Sequence, residues 1–295
     1  MNAPAERHLL RAAASAARIR NGMSVDVEDY FQVSAFAPYI DRRDWPSLDC
    51  RVEGNIDRIL ALFDNAGVQA TFFTLGWIAE RYPAMVRRIA AAGHEIASHG
   101  YHHERVSSLT PEDFLADLRR SKCILEDACG LPVRGYRAPS FSMGETTPWA
   151  WEMLERAGYA YSSSVYPIAH DHYGMRSAPR FAFLPDRAHP VLEIPITTAR
   201  VGSRNLPAGG GGYFRLFPYA LSRWMIGRVN AQDGRAGVFY FHPWEIDPDQ
   251  PRQRGVNLKT RFRHYLNLDR MEGRLAALLR DFDWDRLDRI FLELP

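Results

Sequence analysis

Cysteine is scarce. The three in 295 residues, Cys50, Cys123 and Cys129, are too few for a disulfide framework, and their spacing fits no zinc knuckle. Idle or buried thiols in a reducing compartment are expected. No apolar run approaches the roughly 18 residues a membrane-spanning helix needs. Near the start of the chain, Arg11 and Arg18 interrupt any signal-peptide core. Residues 1–20 therefore read as an N-terminal extension, helical or frayed, and the expected location is the cytoplasm. Charge of one sign is missing too: Lys+Arg 37 against Asp+Glu 35 leaves +2, which offers no net field for nucleic acid or an anionic membrane. Internal repeats and linker-like breaks in composition are lacking, so residues 21–295 are expected as one domain. With 46% hydrophobic and 24% charged residues, usage is that of a globular chain with a sizeable core.

What is present alternates. Gly22 to Val27 is a short apolar strand that ends in acids. Val52 to Asn65 carries Val52, Ile56, Ile59, Leu60 and Phe63 at helical spacing, and Gly67 stops it. Gln69 to Leu75 reads as a buried strand, Trp77 to Ala92 as one helix, and Glu95 to Ser98 as a strand. Thr110-Pro111-Glu112-Asp113 starts a helix to about Ala128, with Thr as cap and acids at the positive end of the dipole. Further strands are expected at Val133–Tyr136, Tyr159–Ser163, Val191–Thr197 and Gly237–Phe241, with helices at Thr147–Ala157 and Arg261–Asp281. Residues 167–190 form a long excursion without clean periodicity. Such alternation implies an α/β fold, a parallel sheet with helices outside. Asp26, His99, Arg137 and His242 all fall at or just after strand ends, where a barrel places its active site.

Four motifs carry chemistry. In Ser98-His99-Gly100-Tyr101-His102-His103, His99 and His103 are four apart, so on a helical turn both imidazoles share a face and can hold one divalent ion. His94-Glu95 does not begin a zincin motif, because the next histidine is five residues along, not four. Asp26-Val27-Glu28-Asp29 puts three acids at the end of a buried strand, a costly arrangement unless they are paired or bind a cation; a helix N-terminus is the other reading. Arg137, in Gly135-Tyr136-Arg137-Ala138-Pro139-Ser140-Phe141, can orient a carboxylate bidentately. His242, at the end of Val238-Phe239-Tyr240-Phe241, invites an acid/base role. Each motif alone also fits an ordinary structural part.

Taken in order, the set resembles the polysaccharide deacetylases of the NodB type, carbohydrate esterase family 4, from about Asn21 to Phe291. It is most similar to the branch associated with exosortase and exopolysaccharide gene clusters. The residues that carry this are Asp26-Val27-Glu28-Asp29-Tyr30-Phe31, the His99/His103 pair, Arg137-Ala138-Pro139, Gly209-Gly210-Gly211-Gly212-Tyr213-Phe214-Arg215, Phe241-His242-Pro243-Trp244 and the tail from Phe262 to Asp281. The resemblance implies a distorted (β/α) barrel with a C-terminal helical extension. It implies metal-dependent removal of N-acetyl groups from an amino-sugar polymer, such as an exopolysaccharide or its precursor. Asp26 matches the general base, Arg137 the residue that holds it, and His242 the general acid. His99 and His103 match two metal ligands. The third ligand is Glu28 if alternation along the strand continues, or Asp29 if the strand has ended at Val27. Zinc suits such a set, as would cobalt or another first-row metal. Pro139, Phe141, Gly211 and Tyr213 are expected at the substrate, an acetylated polysaccharide or oligosaccharide.

One departure concerns His242. Related sequences often carry an Asp where this one has Ser162; Asp171 could take its place. The Gly209–Gly212 run lacks a following Gly-Lys-Ser/Thr, so it is not a phosphate loop; a flexible loop is the plain reading. Trp45, Trp77, Trp149, Trp151 and Trp244 could stack on sugar rings but are more often core. Two rival readings use the same residues: a barrel hydrolase of small cyclic amides or ureides, and a non-catalytic carbohydrate-binding protein.

Overall fold

The computed structural model describes residues 18–170 and 174–292. Strand β1 (Arg20–Val27) is buried in seven of its eight residues, as expected of a parallel strand covered on both faces. Its start pairs with β10 (Asp283–Asp285), Gly22 opposite Asp285. Its end pairs with β2 (Thr71–Thr74), Asp26 opposite Phe73. Strand β9 (Val238–Phe241) overlaps both stretches, from Gly22 to Val25. It therefore holds the other edge of β1, while β10 and β2 share the first. From β2 the sheet continues, parallel throughout, through β3 (Glu95–Ser98), β4 (Gly135–Tyr136), β5 (Tyr161–Ser162) and β6 (Leu192–Glu193). The chain beyond β6 returns to β9: Thr197 N donates to Val238 O at 3.3 Å, and Tyr240 N to Gly209 O at 2.8 Å. The sheet thus curls into a distorted barrel, as expected, with its strand C-termini at one mouth.

Helix α1 (Val52–Ala66) buries Val52, Ile56, Ile59 and Phe63 and ends at Gly67 with φ 64, a left-handed position that glycine adopts without cost. The single helix expected at Trp77–Ala92 is two, α2 (Gly76–Arg81) and α3 (Pro83–Ala91). Pro83 lacks an N–H and disfavours helical geometry at Tyr82, which sits at φ −126, ψ 54. Helix α4 (Pro111–Cys129) starts as expected, with Thr110 Oγ1 accepting from Asp113 N at 3.1 Å. Helix α5 (Ala150–Arg156) precedes β5.

The second half departs further from expectation. Of the expected Val191–Thr197 strand only Leu192–Glu193 is regular strand, with single bonds from Ile194 N to Ser162 O and from Thr197 N to Val238 O beyond it. The following stretch forms an antiparallel hairpin, β7 (Thr198–Val201) with β8 (Arg204–Pro207), turning at Gly202 with φ 58. Helices α6 (Gly211–Leu216) and α7 (Tyr219–Arg228) occupy sequence without strong periodicity. The expected helix at Arg261–Asp281 is broken into α8 (Leu258–Tyr265) and α9 (Leu268–Asp281). The break is Asn267, left-handed at φ 52, a conformation Asn tolerates, and its Nδ2 donates to Arg215 O at 2.8 Å. Strand β10 and the short helix α10 (Leu287–Phe291) complete the described chain.

The core is continuous from Met23 and Val25 through Phe63, Phe72 and Leu118 to Phe239, Leu275 and Trp284. Trp45, Trp77, Trp151 and Trp244 are all below 8% exposed, so these indoles are core. No helix among the described residues is long and apolar enough to cross a membrane. Helix α9 buries Met271, Leu275, Leu278 and Leu279 on the face its spacing predicts. Leu275→Ala should lower stability by about 2–5 kcal/mol, measured by urea unfolding, with helical circular dichroism retained before the transition.

Candidate metal centre

At the strand C-termini, Glu28, His99 and His103 come together. One ligand atom from each lies within 4.8 Å of the others, and all three residues are buried. The shared helical face expected from their spacing is not formed. They sit on a turn after β3 in which Gly100 takes φ 74 and His103 takes φ 55, and their ring centroids are 5.2 Å apart. The turn therefore achieves what the sequence reading assigned to a helix. His99 Nδ1 lies 2.8 Å from the backbone oxygen of Arg137; donation there leaves Nε2 as the coordinating atom, the usual support of a ligating histidine. Burial pushes the His99 pKa down to about 4, so the ring is neutral, as a ligand must be.

Glu28 is 2% exposed. Burial raises its pKa, but His103 and His242 outweigh burial and bring it to about 2. Its Oε1 accepts from the Trp244 indole at 3.3 Å. Oε2 has no hydrogen-bond partner, although His103 Nε2 lies 2.8 Å away. A buried carboxylate oxygen and an imidazole nitrogen this close, with a second imidazole beside them, are donors that can converge on one cation. The donor set thus fits a divalent metal.

Asp29 does not join the group. Its Oδ1 accepts from Tyr30 N at 2.7 Å, and its Oδ2 from Arg51 N at 2.5 Å and Val52 N at 2.9 Å. It serves the N-terminus of α1, whose first amides have no partner within the helix.

Asp26 is held by Arg137, whose guanidinium is wholly buried. Nη1 donates to Asp26 Oδ1 at 2.5 Å and to Ser24 Oγ at 2.9 Å, while Nε and Nη2 donate to the backbone and hydroxyl oxygens of Ser163. The Phe73 ring packs 4.0 Å from the guanidinium carbon. His242 reaches in from the end of β9. Its Nε2 lies 4.0 Å from Asp26 Oδ2 and 3.5 Å from Glu28 Oε1, and its side chain is 20% exposed. Burial disfavours its charge, but the carboxylates of Glu28, Glu245 and Asp26 outweigh burial and push its pKa up to about 9.

Two residues of this network escaped the sequence reading. Glu245 Oε1 lies 2.7 Å from His242 Nδ1, and Glu245 Oε2 accepts from Arg215 Nε at 2.6 Å. The carboxylate beside His242 is therefore Glu245; Asp171 lies outside the described residues. Ser162 donates instead to Ser164 at 2.8 Å. The His-Pro-Trp-Glu spacing was the available signal, since it places residue 245 one turn from residue 242.

The expected substrate residues are placed as follows. Pro139 and Phe141 lie in a 3-10 turn just after Arg137, with Ser140 and Phe141 both left-handed (φ 54 and 49). That backbone is strained for residues other than glycine and is typical of functional loops. Phe141 packs between Tyr166 and Tyr240. Tyr213 packs against Phe217 and His170. Gly211 is pressed against Glu245: a Cβ there would lie 2.7 Å from its carboxyl carbon. Gly211 thus lies behind the site, and the glycine run is a packing device, not a slack loop.

Residues 44–162 match the polysaccharide deacetylase family. Residues 163–292 match a domain of unknown function, DUF3473. A peptidoglycan deacetylase of Helicobacter pylori is 32% identical over 113 residues, 38% of this chain and 38% of that protein. A peptidoglycan-N-acetylglucosamine deacetylase of Bacillus cereus is 32% identical over 96 residues, 32% of this chain and 35% of that protein. The matches thus span little more than a third of these relatives' lengths. A Mycobacterium smegmatis protein assigned to the polysaccharide deacetylases has a similar fold, with TM-score 0.58 at 20% identity, covering 94% of this chain and 91% of that one. Asp26 and Glu28 precede the deacetylase match, and His242 and Glu245 follow it, so the site is assembled from three stretches of sequence.

Two outcomes separate the acids. Glu28→Gln should weaken zinc binding by more than about 100-fold in calorimetry, beyond the 10–100-fold typical of supporting residues. Asp29→Ala should leave zinc affinity within about 3-fold and lower stability by about 1–2 kcal/mol through loss of the α1 cap. In metal-free protein, an NMR titration should show His242 losing its proton near pH 9; it is charged below that value and neutral above it. Zinc should lower this value, because the ion offsets the charge of Glu28.

Proposed function

We propose that the protein is a metal-dependent N-deacetylase of amino-sugar polymers or oligomers, with Glu28, His99 and His103 holding the ion. The observation that carries this is the cluster of three buried donors, Glu28 Oε2 lying 2.8 Å from His103 Nε2 and His99 beside them, fixed from behind by the Arg137 carbonyl. Two histidines and one carboxylate suit zinc, and cobalt would also fit. When bound, such an ion polarises an acetyl carbonyl and makes water acidic enough to attack it.

The chain's own groups supply the rest. Asp26 has one oxygen tied to Arg137 and the other turned toward His242, so it is placed to take a proton from the attacking water. His242, whose proton affinity the surrounding carboxylates raise, gives its Nε2 proton to the departing amine nitrogen. Each transfer is worth roughly 10²–10⁴ in rate. A backbone N–H of the Ser140–Phe141 turn is assigned to the developing oxyanion; that of Phe141 is bonded to Ala138 O at 3.0 Å, and the role falls to Ser140. Pro139, Phe141 and Tyr213 are retained as substrate contacts; Gly211 is not, because it packs on Glu245. The relatives' names point to N-acetylglucosamine polymers. The finer assignment to an exopolysaccharide or its precursor rests on the branch resemblance of Gly209–Arg215 and Phe241–Trp244.

The test is acetate release from N-acetylglucosamine oligomers, with small cyclic amides assayed in parallel. Wild type loaded with zinc should release acetate, and chelation should abolish release. His99→Ala should lose metal and turnover together. Asp26→Asn should keep metal and lose at least about 10²-fold in kcat. Opening of cyclic amides without acetate release, or sugar binding without turnover, would replace this assignment by one of its rivals.

A further inference from the structure

The glycine run and Arg215 have no part in the reaction described so far. A Cβ at Gly209 would run into the carbonyl oxygen of Val238, and one at Gly210 would lie 2.9 Å from the Tyr240 ring. With Gly211 facing Glu245, three bare positions let the chain lie flat on β9 and turn into α6 directly over that carboxylate. Helix α6 then delivers Arg215, 2% exposed. Its Nε donates to Glu245, and its remaining nitrogens donate to the carbonyls of Arg263, His264 and Leu266 at 3.2, 2.9 and 2.7 Å. Those carbonyls lie at the break between α8 and α9, where Asn267 returns a bond to Arg215 O. Glu245 Oε1 in turn meets the His242 backbone N at 3.1 Å and the ring Nδ1 at 2.7 Å. The ring stacks on Trp244, with centroids 5.1 Å apart, and Trp244 stacks on His264 at 4.2 Å.

We propose that Arg215 and Glu245, brought together by the Gly209–Gly211 run, are the positioning unit of His242. Residues 163–292 are thereby the second half of the catalytic domain, not an appended module. This deepens, and rests on, the deacetylase reading above. A carboxylate that accepts from Nδ1 fixes which way the ring faces and leaves Nε2 toward Asp26 and Glu28. The planar guanidinium fixes the carboxylate in its turn. The three carbonyls take three of the four other N–H groups of Arg215 and anchor the guanidinium behind the carboxylate. Neither Arg215 nor Glu245 touches substrate in this arrangement; both act through His242.

The experiment compares zinc-loaded wild type with Glu245→Ala, Glu245→Gln and Gly211→Ala. Gly211→Ala pushes the carboxylate aside without altering any charge. Kinetics on N-acetylglucosamine oligomers and zinc stoichiometry are measured together. Ring spectra of the metal-free proteins follow the Nδ1 proton of His242, assigned by its loss in His242→Gln. The expected result is a kcat about 10²-fold lower in Glu245→Ala and Gly211→Ala, with KM within about 2-fold and zinc content unchanged. The slowly exchanging Nδ1 proton should be lost in both variants. Glu245→Gln, nearly isosteric and still offering an oxygen, should recover about tenfold of the kcat and part of the Nδ1 signal. Unchanged kcat in both damaging variants, losses shared equally by KM or zinc binding, or an Nδ1 proton indifferent to Glu245 would each overturn the proposal. If Glu245→Ala does not fold, Glu245→Gln and Gly211→Ala decide it. If wild type releases no acetate, the deacetylase reading fails, and the ring spectra by themselves decide whether Glu245 positions His242.

Discussion

A single buried guanidinium organises the candidate site. Arg137 has no exposure, and among the described residues its charge is met by Asp26 alone. Its remaining donors go to Ser24 and to both oxygens of Ser163, so it ties the ends of β1, β4 and β5 together. Its own carbonyl faces the back of His99. A buried charge with one ionic partner is strongly constraining: removal of either partner strands the other, at about 3–5 kcal/mol. The position of Asp26 and the orientation of one metal-ligating candidate are therefore fixed by the same side chain.

A second buried pair, Arg215 with Glu245, mirrors the first across β9. Both pairs are deeply buried, and each holds a group to which we assign a proton transfer, Asp26 in one case and His242 in the other. The two halves of the sequence are interlocked at these points. Strands β9 and β10 flank β1, so the segment matched by a domain of unknown function shares its sheet with the deacetylase segment. Strained backbone collects at the same mouth: His103, Ser140 and Phe141 all take positive φ. Such strain persists only where the surrounding structure over-determines it, and here it is enclosed by buried side chains from several strands.

The early elements were legible because each is short and bounded by strong local signals. The Thr110 cap, the Gly67 stop and the apolar runs of β1 to β3 all lie where composition puts them. Breaks were less legible. Pro83 divided a helix that periodicity joined, and Asn267 did the same near the C-terminus, where a tertiary bond to Arg215 holds its left-handed turn. The α6–α7 region gave little signal, because its burial is decided by β9 and α9, not by its own periodicity. The histidine pair was found for a reason that proved to be wrong in detail. A spacing of four was read as a helical face, whereas a turn built on Gly100 and a left-handed His103 brings the rings together.

The sequence by itself determined the fold class, the order of polar residues at strand ends and the kinds of donor available, because alternation, capping and residue chemistry are local. It could not choose between Glu28 and Asp29, which are neighbours with the same functional group. Nor could it show that Glu245 stands behind His242, or that three of the four glycines serve contact and not slack. Those were decided by where distant segments meet: Arg51 and Val52 present bare amides to Asp29, His103 presents a ring to Glu28, and α6 descends onto Glu245. The physical reason is that a buried polar group takes the partner its surroundings leave within reach, and only the folded chain specifies those surroundings.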